Sequence, residues 1–171
     1  MRHGESEYNV LGLCNDDPGR EVHLTDRGHA QVEEAARQLA SVPIEAIVVS
    51  ELVRTRESAD IVNRFHRVPV LTHPAINDWR TGLDGQPARL LYQAIAADPM
   101  DTRVNRGETL REHLARVRSF LDWLHGRTES TILVVAHEET LRAAAAWYRE
   151  LRHEEMLALK FDNAEVAVFD L

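Results

Sequence analysis

Thr131-Ile132-Leu133-Val134-Val135-Ala136 runs without a break into His137, and Ile44-Glu45-Ala46-Ile47-Val48-Val49 runs into Ser50-Glu51-Leu52-Val53-Arg54. Both stretches are β-branched and almost continuously apolar, the pattern of strands covered by helices on both faces. Val68-Pro69-Val70-Leu71 reads as a shorter strand nearer an edge, since proline has no N–H for the ladder. Val166-Ala167-Val168-Phe169 is expected to close the sheet. Helical patterns lie between these strands. Thr25 suits an N-cap for a helix from Asp26, with Ala30, Val32, Ala35, Ala36 and Leu39 on one side. Further helices are predicted over 55–65, 90–97, 109–124 and 141–151, the third of these carrying Leu110, Leu114, Val117, Leu121 and Leu124 at helical spacing. The alternation predicts one α/β domain over 1–171, a three-layer sandwich with a central, mostly parallel sheet flanked by helices.

Composition sets the outer limits. The 44% hydrophobic and 28% charged residues are those of a globular chain. No apolar run is long enough to span a bilayer, and Cys14 has no partner for a disulfide or a zinc site, so a cytoplasmic protein is expected. The net charge of −8 argues against a general nucleic-acid or membrane binder. An anionic substrate would therefore have to be held by a few focused arginines. All but one of the 20 basic residues are arginine, the exception being Lys160.

Ligands of open parallel sheets bind at the carboxyl ends of the strands. Two histidines and two arginines fall at or near such places: Arg2-His3 at the start of the chain, Arg54 after the first strong strand and His137 after the second. That set suits phosphoryl transfer through histidine. A neutral imidazole is a good nucleophile near pH 7. Guanidinium forks match phosphate oxygens, and a second imidazole can stabilise their charge in the transition state.

Arg2-His3-Gly4-Glu5-Ser6, with Asn9 after it, resembles the signature of the histidine phosphatase (phosphoglycerate-mutase-like) superfamily. Leu24-Thr25-Asp26-Arg27-Gly28-His29-Ala30-Gln31, the segment 50–58, Gly107-Glu108-Thr109 and Phe161-Asp162-Asn163-Ala164 resemble its later segments, in the same order. The resemblance implies His3 as the phosphorylated nucleophile, with Arg2, Arg54 and His137 completing the phosphate pocket and Asn9 as a substrate contact. It implies a phosphomonoester phosphatase acting on a small phosphorylated metabolite, without metal or organic cofactor and with a homodimer as a further expectation. The alternatives are a phosphohistidine-protein phosphatase, a phosphoglycerate mutase and a weakly active phosphate-binding relative.

The proton donor has two candidates. Asp78, in Ile76-Asn77-Asp78-Trp79-Arg80-Thr81-Gly82, aligns with the mutase-like branch's glutamate but is one methylene shorter. Glu138, directly after His137, holds the place of the acid in the acid-phosphatase branch. Asp78 is preferred, and Glu108 is expected to orient the pocket. Only Met1 precedes the Arg-His pair where the family has a strand, so either the chain starts upstream or the sheet lacks a central strand. The other histidines, His113 included, are expected at the surface or at caps. Trp123 and Trp147 are expected in the core, Trp79 is a candidate pocket wall, and Cys14 is read as incidental.

Overall fold

The computed structural model describes residues 1–170. Three strands, β1 (Ala46–Val49), β2 (Val70–Thr72) and β3 (Ile132–Val135), form a parallel sheet in the order β2-β1-β3. Ile47 pairs with Val70 on one side and Leu133 on the other. Every residue of the central β1 is buried, whereas β2, at the edge, is mostly exposed.

The two-residue period of a strand sorts the core into two layers. Ile47 and Val49 pack with Val32 and Ala36 of α2 (Asp26–Leu39) and Val62 of α3 (Val53–His66). Val48 packs on the other side with Phe120 and Leu124 of α5 (Leu110–His125) and Leu141 of α6 (Glu138–Tyr148). A third cluster, including Trp79, Leu91, Met100, Leu110 and Met156, involves α4 (Ala88–Ala94) and α7 (His153–Ala158). A short helix, α1 (Glu7–Leu11), was not legible in the sequence.

Caps place the helix starts. Thr25 accepts from Gly28 N (3.0 Å), and Thr109 and Glu112 form a reciprocal capping box on α5. The predicted helix at 141–151 begins one turn earlier, at Glu138, which brings Glu138 and Glu139 into its first turn.

The chain start extends the sheet. His3 N donates to Ala136 O and Ala136 N to Met1 O, both at 3.0 Å, and Arg2 N donates to Glu165 O (3.0 Å). Residues 1–3 therefore lie between the end of β3 and residues 163–165. Gly4 and Gly28 allow α2 to come close: a Cβ on Gly28 would stand 2.0 Å from Glu5 O, and one on Gly4 2.5 Å from Gly28 O. The expected final strand does not form. Beyond the Glu165 contact, Val166–Phe169 make no backbone pairing among the described residues, and they run irregularly with Val166, Ala167 and Phe169 against the core. An apolar groove of about 480 Å³ runs there, with Met1, Ile132, Val134 and Val168 among its lining residues. Among the described residues no helix is long and apolar enough to cross a membrane.

Candidate active site

Two strand ends and the first segment deliver the site. His3 is held by its own N–H on Ala136 O, Arg54 sits in the first turn of α3 after β1, and His137 is the N-cap of α6 after β3. His3 and His137 are 3% and 1% exposed, with ring centroids 5.3 Å apart. His3 Nδ1 lies 2.7 Å from Gly4 O, which can only accept, so the proton sits on Nδ1 and Nε2 carries the lone pair. That lone pair accepts from Arg54 Nε at 3.0 Å. Burial, then Arg54 and Arg2, hold the His3 pKa well below its ordinary value. The ring is therefore neutral at pH 7, as a nucleophile must be.

Arg54, itself 3% exposed, joins the pocket together. Its Nη1 donates to Asn15 Oδ1, and its Nη2 to Asn15 O (3.1 Å), Asp78 Oδ2 (2.7 Å) and His137 Nδ1 (3.0 Å). His137 thus uses Nδ1 as acceptor and Nε2–H as donor to Ser50 Oγ (2.9 Å). Ser50 Oγ is 2.8 Å from Thr55 Oγ1, which is 2.8 Å from Leu52 O. A hydroxyl pair of this kind can turn round, giving Ser50 as donor and leaving Nδ1–H free to point at an anion. Burial first, then Arg54, also lowers the His137 pKa well below the usual range.

Residues 1–171 match the histidine phosphatase superfamily (branch 1). The chain belongs to that superfamily. Among its relatives, a 2,3-bisphosphoglycerate-dependent phosphoglycerate mutase of Thermoplasma acidophilum is 24% identical over all of this chain and 85% of its own length. The adenosylcobalamin/alpha-ribazole phosphatase of Salmonella typhimurium is 27% identical over 86% of this chain and 82% of its own. A putative alpha-ribazole-5'-P phosphatase from Escherichia coli has a similar structure, with a TM-score of 0.86 and 26% identity, covering 96% of this chain and 84% of that one. This histidine phosphatase is a phosphoric monoester hydrolase by family and by its phosphatase relatives.

The pocket holds about 130 Å³ and is lined by Arg2, His3, Asn9, Arg54, Asp78 and Glu138 among the expected residues, and by Asn15, Trp79, Tyr92 and Glu139 besides. Arg2 Nη1 donates to Phe161 O (2.6 Å) and pairs with Glu138 Oε2 (2.9 Å). Asn9 Oδ1 accepts from Ser6 N (3.0 Å) and closes the capping box of α1. Asp78 has both oxygens engaged, Oδ2 with Arg54 and Oδ1 with Trp79 N (2.9 Å). Glu138 likewise binds Arg2 and, through Oε1, Arg142 (2.7 Å).

Glu108 is not in the pocket wall. It is 4% exposed and accepts from Arg80 N (3.1 Å) and from Arg116, while its carbonyl accepts from Trp79 Nε1 (2.9 Å). It orients the Asp78–Arg80 loop from behind. His113 corrects the expectation of a surface histidine: it is fully buried beside Arg116 (2.9 Å) because it shares the apolar stripe of α5. Trp147 corrects another, being 38% exposed with Arg118 over its ring, whereas Trp79 is buried and lines the pocket. Asn15, Ser50 and Glu139 were missed as site residues. Among the described residues no group of three or more His, Cys, Asp or Glu side chains is disposed to hold a metal ion.

Proposed function

We propose that this histidine phosphatase hydrolyses a small phosphomonoester through a phosphohistidine on His3 Nε2. The observation that carries the reading is His3 itself: neutral, with Nδ1–H tied to Gly4 O and its lone pair turned into a pocket bearing two guanidinium groups. Nε2 attacks phosphorus, the P–N bond forms, and the bond to the leaving oxygen breaks. Arg2, Arg54 and His137 stabilise the charge on the phosphoryl oxygens as it passes. Water then attacks phosphorus, the P–N bond breaks, and orthophosphate leaves a neutral His3. The hydroxyl pair Ser50–Thr55 lets His137 change from acceptor, facing Arg54, to donor, facing phosphate.

Charge separates hydrolysis from mutase chemistry. The arginines lining the pocket are Arg2 and Arg54, and both are needed by the transferring phosphoryl group. Asp78, Glu138 and Glu139 supply the remaining charged lining, and they repel a second phosphate or carboxylate on the substrate. A monoester with a neutral organic part, packed against Trp79, Leu91 and Tyr92, meets no such penalty. A screen of phosphomonoesters and bisphosphates with and without EDTA tests this. Monoester hydrolysis that survives EDTA and vanishes in His3→Ala is expected. Preference for bisphosphates, or turnover in His3→Ala, overturns it.

A further inference from the structure

The geometry points to Glu139 as the acid that protonates the leaving oxygen, and as the base that takes a proton from the attacking water. This assignment rests on the phosphatase reading above. Glu139 lines the same pocket as His3 and Arg54, in the first turn of the helix that His137 caps. Its side chain is 17% exposed, and Oε1 accepts from Arg142 Nη1 at 2.7 Å. Oε2 meets no protein donor among the described residues. The other two carboxylates differ in just this respect, because both oxygens of Asp78 already accept from protein donors, and both of Glu138 are held by arginines, Oε2 in an ion pair with Arg2 and Oε1 accepting from Arg142.

The charged and titratable groups around Glu139 come from four elements: Arg142 and Glu138 on α6, Asp78 on the loop after residue 76, Arg2 on the first segment, and the neutral phenol of Tyr92 on α4. Burial raises its pKa to about 7, with Asp78 and Glu138 adding to the rise while Arg142 and Arg2 oppose it. About half the molecules therefore hold the proton near neutrality, where a general acid is most effective. As the bond from phosphorus to the leaving oxygen breaks, the proton on Glu139 Oε2 moves to that oxygen and releases an alcohol. The carboxylate left behind stays paired with Arg142. It then takes one proton from the water that displaces His3 from phosphorus, which restores both the protonated Glu139 and the neutral histidine.

The test compares phenyl phosphate, a poor leaving group, with p-nitrophenyl phosphate, a good one, in the full chain. E139Q should lower kcat/KM for phenyl phosphate by about 10²-fold and leave p-nitrophenyl phosphate within about threefold. Wild-type turnover of phenyl phosphate should fall as pH rises through about 7, and E139Q should lose that limb. D78N and E138Q should affect both esters alike. R142Q, which removes the cation opposing the shift, should move the limb upward, and it serves if E139Q folds poorly. Equal effects of E139Q on both esters, a limb that persists in E139Q or stays put in R142Q, or leaving-group dependence in D78N or E138Q, would each overturn the assignment. A wild-type protein inert toward both esters fails the phosphatase reading itself; wild-type turnover with leaving-group dependence unchanged in E139Q fails only the role of Glu139.

Discussion

Glu108→Gln probes how the pocket loop is held. Glu108 is almost wholly enclosed, and its charge faces Arg116 and the buried His113 Nδ1 at 3.4 Å. Arg116 passes the constraint on: Nη1 donates to Ala75 O (2.9 Å) and Asn77 O (3.0 Å), and Nη2 to Asp78 O (3.2 Å). Glutamine keeps the shape and removes the charge, leaving Arg116 without its buried partner. Removing one member of a buried pair costs about 3–5 kcal/mol, and the side chain of Arg116 is 19% exposed, so the low end applies. About 3 kcal/mol lowers Tm by about 6–12 °C in a chain of this size. Burial works to raise the Glu108 pKa, but the bonds from His113 and Arg116 outweigh it and hold the carboxyl well below its usual range. A pKa depressed in the folded state adds stability above the unfolded value of 4.5, and that stability is lost as pH falls through the folded value. Each pH unit below 4.5 therefore removes about 1.4 kcal/mol of the wild-type advantage. Near pH 3 the gap should shrink to about 1 kcal/mol. Calorimetry from pH 7.5 down to 3 reads this directly. Equal Tm values at pH 7.5, or a gap that stays constant in acid, would rule out a stabilising Glu108 charge.

Gly28→Ala places a Cβ 2.0 Å from Glu5 O, so α2 must move away from the first segment. The strain, about 1–3 kcal/mol, should exceed the helix-propensity gain and lower both Tm and activity, as thermal melts and assays will show. Ser50→Ala removes the partner of His137 Nε2 and should cost about 1 kcal/mol of transition-state stabilisation, roughly fivefold in kcat, with KM little changed. Asp78→Asn removes the carboxylate that competes for Arg54 at 2.7 Å, and calorimetric titration should show phosphate binding roughly tenfold tighter.

The two strong strands were legible because burial on both faces leaves a continuous apolar run, and their ends then located Arg54 and His137, while His3 was found by its signature at the chain start. Val166–Phe169 carries the same β-branched signal, but a strand also needs a neighbour, which local sequence does not reveal. His113 falls three residues after Leu110 and four before Val117, so its burial was readable from the apolar stripe of α5. The polar character of the side chain hid it. Glu139 was missed because the helix at 141–151 was expected to begin a turn later; with the N-cap at His137, the next two residues both reach the pocket. Asn15 acts through a contact with Arg54, 39 residues away in the chain, and carries no local pattern of its own.

The proposed hydrolysis passes through a covalent phosphohistidine. Wild-type protein mixed with a radiolabelled phosphomonoester, quenched within milliseconds in base and digested, should carry the phosphoryl group on the peptide containing His3, as an acid-labile, base-stable adduct on Nε2. Label on Cys14, on a serine or on His137, or no label during a burst of product, would contradict the account.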